Sequence, residues 1–280
     1  MWLPGYGMEY PHTTLTTPWQ PCMKKCRLKL IACNVFQREA CLCLVDTPHL
    51  VDVEFLELGE HARSGVLREK LQARITAADG EPTPYDAILL LYGLCGNATA
   101  GLRAGRTPLV LLRAHDCATI LLGSKAAFKT HFGDNPSRPF GSVGYLERGD
   151  YFLRAADGNT ALIVGDNAYA AYVEQYGEED AKFIWESMHP KSEDDSAVFI
   201  NIPETAALGA AETFRRKAEA EGKRFVPLTG NLRLIRNLIH GQWDAVDFLT
   251  VPPGEAITGV YDWDEIVRAV PATNSQKEKT

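Results

Sequence analysis

Hydrophobic positions occur along this chain in short continuous runs, which are separated by longer stretches with helical spacing. Continuous apolar runs at 28–33, 87–92 and 109–113 have the length of strands that are buried on both faces. Residues 51–58 instead alternate apolar with acidic side chains, which predicts an outer strand with one wet face. Between these runs, Ser64 begins a stretch whose apolar positions lie three and four apart, which predicts a capped helix.

The second half of the chain repeats this alternation after an irregular segment. Strands and helices are predicted in turn at 197–202, 208–221, 224–228, 232–240 and 247–251. Strands that alternate with helices in this way form βαβ units, in which the strands are parallel. The predicted fold class is therefore α/β, with two lobes, parallel sheets and flanking helices in a Rossmann-like arrangement.

Shifts in composition predict how the chain is divided. Residues 1–22 are rich in proline and glycine and have no periodicity, and Met23 looks like a natural chain start. The predicted parts are an irregular arm over 1–22, a four-strand lobe with a cysteine and histidine cluster over 23–134, a bridge with helices over 135–190, a three-strand lobe over 191–272 and a flexible tail over 273–280.

Charge and cysteine usage narrow the classes of function. The chain has 280 residues, and 29 basic against 36 acidic side chains give a net charge of −7. With no basic excess to neutralise a phosphate backbone, nucleic acid is not an expected partner, and the apolar runs are too short to cross a membrane. The seven cysteines are an odd number and follow a start without a secretory signal. These features predict a cytoplasmic protein whose thiols are free or bind metal.

Three of the cysteines and two histidines follow predicted strands of the first half. In open parallel sheets, ligands bind in the crevice beyond the carboxyl ends of the strands. Thiolates bind zinc and iron–sulfur clusters, and imidazole suits zinc and iron, so we expect a metal site there. Cys41 and Cys43 lie two apart on a predicted helix and are not expected to join it. The predicted ligands are Cys33, Cys95, Cys117, His61 and His115.

A glycine-rich loop surrounds Cys95. Its sequence, GLCGNATAG over 93–101, lets backbone N–H groups approach a ligand closely and adopt positive φ angles. Its spacing matches neither a Walker loop nor a dinucleotide fingerprint, and the alternative is a tight strand-to-helix turn without a ligand. We expect cofactor contacts from this loop and from the end of the fourth strand. The predicted contact residues are Gly93, Gly96, Asn97 and Arg113.

Two other interpretations of the same residues stay open. Cys95 or Cys117 can serve as an attacking thiolate, with His115 or His61 as its base and no metal. The cysteines can also be inert, because free cysteine is among the most buried residue types. Asp116 has the position of an N-cap for the helix that follows it, which is a structural role.

Several segments together resemble a known family. LIACNVFQREAC, YGLCGNATAGL, PLVLLRAHDCATILLGS and GNLRLIRNLI…DFLTVPPGE occur in the same order as in the domain-of-unknown-function family 1638. The resemblance covers most of 26–257, and YGLCG and RAHDC are its specific segments. The Leu-His pair that the family usually carries before its second helix is replaced here by LGEH at 58–61. Carried over, the cysteine and histidine pattern of the family falls on Cys33, His61, Cys95, His115 and Cys117.

The resemblance implies a metabolic setting and supplies no reaction. Members of the family occur in anaerobes, often encoded beside corrinoid-dependent methyltransferases. This implies a protein with zinc, iron or an iron–sulfur cluster that serves corrinoid or one-carbon metabolism as an enzyme or accessory factor. A corrinoid is then a further cofactor, and a small molecule or methyl-transfer proteins are the partners. A non-catalytic corrinoid or metal carrier is the alternative function.

The second lobe can also contribute to the site. If the two lobes close over the crevice, Asn201, Glu204 and Thr229 are expected near Cys95.

Overall fold

The computed structural model of the protein describes residues 25–57, 64–134, 138–148, 178, 196–260 and 262–272. Its strands are β1 (Arg27–Cys33), β2 (Leu50–Leu56), β3 (Ala87–Leu91), β4 (Leu109–Leu112), β5 (Phe140–Gly141), β6 (Ser196–Asn201), β7 (Arg224–Thr229), β8 (Phe248–Val251), β9 (Glu255–Gly259) and β10 (Val267–Pro271). Its helices are α1 (Gln37–Leu44), α2 (Ser64–Asp79), α3 (Cys117–Leu122), α4 (Lys125–Phe132), α5 (Val143–Arg148), α6 (Ala210–Ala220) and α7 (Arg233–Ile239).

The first sheet has the strand order β2-β1-β3-β4-β8. Strands β2, β1, β3 and β4 are parallel to one another. Every residue of β3 and β4 is buried, as expected for apolar strands that helices cover on both faces. The prediction that the three apolar runs of the first half are neighbours in one parallel sheet is therefore confirmed, and so is the α/β fold class.

Strand β2 forms one edge of this sheet and keeps a wet face, as its alternating sequence predicts. Glu54 forms ion pairs with Lys29 of β1 at 3.2 Å and with Arg74 of α2 at 2.9 Å. Charged side chains on an edge strand discourage pairing with another chain, which is the ordinary hazard of such an edge.

Helices supply the apolar faces that cover the first sheet. On α2, Leu67, Leu71 and Ile75 are fully buried, at the three- and four-residue spacing of one helix face. Helix α7 contacts β3 and β4 and also packs against α1. The loops that lead to α1 and α3 begin at the carboxyl ends of β1 and β4.

The second sheet has the order β5-β6-β7 and is parallel throughout. Strand β6 alternates between two surroundings. Val198 and Ile200 join the core that β1, β3 and β4 build, whereas Ala197 and Phe199 pack against α6, where the Phe199 and Phe214 rings lie 5.1 Å apart. The second sheet thus shares one face with the core of the first.

One predicted strand lies in a different sheet from the one expected. The segment at 247–251, assigned from sequence to the three-strand second lobe, forms β8 and pairs antiparallel with β4. Without β8, the fully buried β4 would present an open edge, so the antiparallel strand closes it. The third strand of the second sheet is instead the short β5, which lies within the predicted bridge. Strands β9 and β10 pair antiparallel after β8.

Other sequence expectations fall partly or wholly outside the described residues. These are the arm at 1–22, most of the bridge and the tail at 273–280. Cys26 is bonded in a disulfide, so the expectation that all thiols are free or bind metal is wrong at this position. Among the helices that the structure describes, none is long and apolar enough to cross a membrane.

Candidate functional site at the carboxyl ends of three strands

The three predicted cysteine ligands follow strands that are consecutive neighbours in the sheet. Cys33 is the last residue of β1. Because Ala32 pairs with Leu91, Cys33 lies beside Tyr92, the residue that follows β3. Cys95 lies in the loop after β3, and Cys117 is the first residue of α3, which follows β4. Parallel strands end at the same edge of a sheet, so the fold brings all three to one region.

The loops after β3 and β4 are bonded to each other through their backbones. Leu94 N–H donates to Ala114 O at 2.8 Å, and Cys95 N–H donates to His115 O at 3.0 Å. A Cβ atom at Gly93 would lie 2.9 Å from Ala114 O and 2.9 Å from the backbone nitrogen of Asp116. Gly93 is therefore needed for this close approach of two backbones, and the contact fixes Cys95 relative to the start of α3.

Cys95 belongs to a run of three residues in the left-handed region. The φ angles are 46° at Cys95, 61° at Gly96 and 67° at Asn97. For a residue other than glycine this conformation costs about 1–2 kcal/mol, so the surroundings must hold it in place. Arg68 of α2 does so by donating from Nη2 to Asn97 O at 2.7 Å. A Cβ atom at Gly96 would meet no other atom within 4 Å. Glycine is therefore favoured at this position by the positive φ angle and not by close packing.

Two tyrosine hydroxyls lie within electrostatic range of all three thiols. Burial raises the pKa of Tyr92 well above its usual value, and Cys33, Cys95 and Cys117 each raise it further. Burial likewise raises the pKa of Tyr145, which the same three cysteines also raise, and Cys117 additionally hydrogen-bonds its side chain. The three cysteines and both tyrosines therefore belong to the same edge of the first sheet.

Sequence reasoning missed both tyrosines as site residues. Tyr92 stands directly before the GLCG segment, so its position after a buried strand was an available signal. Tyr145 lies on α5, in the part of the chain predicted as a bridge, and comes to the cysteines only through the packing of α5 on the residues after β1. No local pattern in the sequence indicates that contact.

Access to the thiols is unequal. Cys33 is fully buried, Cys117 is 2% exposed and Cys95 is half-buried. A molecule from solvent therefore meets Cys95 first.

His115 lies at the edge of this neighbourhood, and its ring packs toward α4. The ring centroid lies 5.7 Å from that of Phe128 and 5.2 Å from that of Trp263. Burial lowers the pKa of His115, a shift that Asp262 opposes and Lys125 assists. Its Nε2 atom is buried and has no hydrogen-bond partner within the described residues. A neutral imidazole with an unused nitrogen suits a metal ligand or a base.

Asp116 has the structural role that its position in the sequence predicts. Its carboxylate accepts from Thr119 N–H at 3.1 Å and so caps α3, whose first residue is Cys117. Burial raises the pKa of Asp116 to about 6 against these hydrogen bonds. The cap fixes the direction in which α3 leaves the cysteine site.

Arg113, a predicted cofactor contact, is engaged by backbone carbonyls. Its Nε donates to Ala245 O at 3.0 Å and to Phe248 O at 3.2 Å. Its Nη1 donates to Glu265 O at 2.9 Å and also to Val267 O. These bonds tie β4 to the segments around β8 and β10, which is a structural role at the far edge of the sheet.

The remaining candidates make other contacts or lie outside the described residues. His61 is outside them. Glu204 lies near α1, where its charge contributes to raising the pKa of Cys43, and Asn201 O accepts from Gly230 N–H at 2.9 Å. Across the described ranges, no three histidine, cysteine, aspartate or glutamate side chains are gathered in a group that could hold a metal ion.

Comparison with known proteins gives a family and no relative of known activity. The sequence model of the family described as "Protein of unknown function (DUF1638)" matches residues 55–239. That range includes the loops with Cys95 and Cys117, whereas Cys33 lies before it. No curated protein and no solved structure matches the chain significantly.

Proposed function

The chain belongs to the DUF1638 family of proteins of unknown function, and from its own residues we propose that it binds zinc, iron or an iron–sulfur cluster through the thiolates of Cys33, Cys95 and Cys117. The observation that carries the proposal is that these three cysteines lie at the carboxyl ends of β1, β3 and β4, which are neighbouring parallel strands, and that all three contribute to raising the pKa of Tyr92 and of Tyr145. Thiolates are the preferred ligands of structural zinc and of iron–sulfur clusters.

The two tyrosines fit a thiolate site because they stay protonated. Their raised pKa values keep the hydroxyls of Tyr92 and Tyr145 neutral at physiological pH. A neutral hydroxyl donates a hydrogen bond to a thiolate, and a charge-assisted bond of this kind is stronger than one between neutral groups. The tyrosines would thus stabilise the negative charge that three thiolates bring to a buried site.

A site with three thiolates leaves one position for another ligand. If Cys33, Cys95 and Cys117 held a metal, it would supply Lewis acidity or a reactive cluster iron at the remaining position. His115 offers its unused Nε2 as the fourth ligand or as a group that orients one, and His61 is the other candidate. Cys95 is half-buried and is the most accessible of the three thiols to a small-molecule ligand.

The family resemblance supports a place for this site in corrinoid or one-carbon metabolism. In that setting the protein acts in the cytoplasm, as an enzyme or accessory factor of methyl-transfer proteins, and a corrinoid is a further ligand. Colour separates these forms of the proposal. Purified without oxygen, a cluster protein is brown, a zinc protein is colourless and a corrinoid carrier is red.

Anaerobic purification of the whole chain, followed by elemental analysis and X-ray absorption spectroscopy, tests the proposal. We expect about one zinc, or the iron and sulfide of one cluster, per chain, with metal–sulfur distances near 2.3 Å for zinc. Cys95→Ser should lose most of the bound metal and keep the far-ultraviolet circular dichroism spectrum. Cys41→Ser is the matched control, because Cys41 is exposed on α1 and should leave the metal content unchanged.

Full metal content in Cys95→Ser would contradict the metal site. A different result would support the cysteine-nucleophile alternative: the protein contains no metal, it cleaves an ester or thioester, and alkylation of Cys95 abolishes that activity.

A further inference from the structure

An open cleft of about 720 Å³ lies beyond the carboxyl end of β4. Arg113, the residue after β4, lines it together with the start of α4, the first residue of α7 and the segments at 245–247 and 263–265. A cleft of this size accommodates a small molecule, and crevices beyond the carboxyl ends of parallel strands are the usual ligand sites of α/β proteins. We call this space the β4 cleft.

Three basic side chains of the β4 cleft have no carboxylate partner among the described residues. Lys125 donates from Nζ to Val246 O at 2.8 Å and to Asp264 O at 2.5 Å. Arg113 bonds backbone carbonyls through Nε and Nη1, and its Nη2 has no acceptor in the described part of the chain. Lys129 is exposed, and its ammonium group donates to no described residue. Each of the three side chains therefore keeps N–H donors that a ligand can use.

The acidic side chains of the β4 cleft do not cancel these charges. Asp247 Oδ2 accepts from Arg233 Nη1 at 2.6 Å, and Glu265 accepts from an arginine of β10 at 2.7 Å. Asp264 and the neighbouring Asp262 carry the remaining negative charges, and Asp262 Oδ1 accepts from three backbone N–H groups of the residues that follow it. The β4 cleft therefore has an excess of positive charge, in a chain whose net charge is −7.

The lining of the β4 cleft also offers apolar surface. The half-buried ring of Trp263 is held by ring contacts with His115 and Phe128, at centroid distances of 5.2 Å and 6.3 Å. Lys129 Nζ lies 5.9 Å from the centroid of the Trp263 ring, within the range of a cation–π contact. Val246 is 68% exposed. A fixed ring and an exposed valine beside cations suit an organic anion better than an inorganic ion, because apolar contact then adds to charge.

We propose that the β4 cleft binds a small organic anion, namely a carboxylate or a phosphate ester with an apolar body. The N–H groups that remain on Arg113, Lys125 and Lys129 donate to the anionic oxygens, and hydrogen bonds between charged groups are stronger than those between neutral groups. The apolar body lies against Trp263 and Val246. The three thiols of the proposed metal site do not line this cleft, so the two sites are separate.

NMR of the whole chain, labelled with nitrogen-15 at its five tryptophan indoles, tests this proposal. The Trp263 resonance is the one that is absent from Trp263→Phe. Phenyl phosphate should shift this resonance saturably and bind about tenfold more tightly than inorganic phosphate, because only the ester has a ring to bury. Benzyl alcohol has a similar ring and no charge, and it should bind about tenfold more weakly than phenyl phosphate. Benzoate tests the carboxylate, and the tighter of the two anions identifies the preferred anionic group.

Two variants test whether the named side chains form the site. Lys129→Gln should weaken phenyl phosphate binding severalfold and keep the fold, because the side chain is exposed on α4. Val246→Ser should weaken phenyl phosphate binding and leave the binding of inorganic phosphate unchanged, because it removes apolar contact alone. Lys70→Gln is the matched control for charge, because Lys70 is exposed on α2 and does not line the β4 cleft. It should bind phenyl phosphate like the wild type.

Three outcomes overturn the proposal. If no anion shifts the Trp263 resonance, the β4 cleft is not a ligand site of this class. If benzyl alcohol binds as tightly as phenyl phosphate, charge is not recognised. If inorganic phosphate binds as tightly as phenyl phosphate, the apolar surface takes no part. Cys95→Ser, which should lose metal, should bind phenyl phosphate like the wild type, so this proposal and the metal site can fail independently.

Discussion

Two groups of cysteines in this protein have the same chemistry and very different surroundings. Cys41 and Cys43 lie two residues apart on α1, where one side chain is exposed and the other is buried. Cys33, Cys95 and Cys117 are distant in sequence and lie at the ends of three neighbouring strands. Close spacing on a helix therefore separates thiols, whereas parallel strands that end at one edge of a sheet bring distant cysteines to the same edge.

Burial by itself does not distinguish the two groups. Cys43 is as fully buried as Cys33. Burial raises the pKa of Cys43 to about 11, although Arg236 opposes the shift. A thiol with this pKa is neutral at physiological pH and behaves as a small apolar side chain. What sets Cys33 apart is its place among other thiols and two tyrosine hydroxyls that can donate to them.

The largest expected contrast is in the alkylation rates of the two α1 thiols. At pH 8, the rise in the pKa of Cys43 from its usual 9 to about 11 lowers its thiolate fraction about 100-fold, and burial slows access further. We expect iodoacetamide to modify the exposed Cys41 about a thousandfold faster than Cys43. Peptide mass spectrometry over a time course measures both rates in one sample.

The thiols at the strand ends provide the internal comparison for that experiment. Bound metal should protect Cys95, and removal of the metal by a chelator should expose it to the reagent. Equal rates at Cys41 and Cys43 would show that α1 does not bury Cys43 in solution.

The next largest effect concerns Glu39, which lies one helical turn before Cys43. The pKa of Glu39 is raised from its usual 4.5 to about 7, so the folded state holds this proton more tightly than the unfolded state. Below about pH 4.5 the Glu39 carboxyl is protonated in both the folded and the unfolded state and does not lower the free energy of unfolding. As the pH rises through 7, the free energy of unfolding should fall by about 3 kcal/mol in total.

Urea unfolding of wild type and Glu39→Gln from pH 4 to pH 9 measures this loss. The variant cannot ionise at this position and should be the more stable protein above pH 7, by up to the same amount. Parallel curves for the two proteins would mean that Glu39 is solvated or paired in solution.

Sequence alone predicts the first sheet well because its strands carry their own signal. The runs at 28–33, 87–92 and 109–113 are apolar throughout, and only strands covered on both faces tolerate that composition. The location of 247–251 was not predictable in this way. Its apolar pattern suits either sheet, and the choice depends on β4 needing a partner at its open edge.

The candidate site was predictable to the same degree as the strands that carry it. Cys33, Cys95 and Cys117 were identified because each follows a recognisable strand. Tyr145 was not, because the approach of α5 to these thiols is a long-range contact with no local pattern. The buried carboxyl of Glu39 was also missed, since the burial of one charged residue on a short helix depends on packing from other elements.

A pair of glycines in the loop after β3 gives a smaller, directional test. Gly93→Ala places a methyl group 2.9 Å from backbone atoms on either side of His115, so the two loops must separate. We expect a loss of about 2–3 kcal/mol in the free energy of unfolding, together with a loss of metal. Gly96→Ala meets no atom within 4 Å and adds only left-handed strain, which costs about 1 kcal/mol.

Chemical denaturation with metal analysis compares the two glycine variants. If Gly96→Ala is the more damaging change, the open space beside Gly96 is filled in solution by a ligand or by another part of the chain. Equal effects would indicate that the loops after β3 and β4 are not in contact.

The smallest expected effect is at Asp116, which caps the helix that carries Cys117. Asp116→Ala removes the acceptor for Thr119 N–H and should cost about 1 kcal/mol, whereas Asp116→Asn keeps an oxygen acceptor and should cost less.

The pKa of Asp116 is raised to about 6, so ionisation opposes folding and the stability of the wild type should decline between pH 4 and pH 6. Both variants lack that decline, and only Asp116→Ala should also lose metal, because a frayed first turn moves Cys117 away from Tyr145. Thermal unfolding across this pH range, with metal analysis of each variant, separates the loss of the cap from the loss of the charge. Equal metal loss in the two variants would assign the effect on Cys117 to the carboxylate charge and not to the cap.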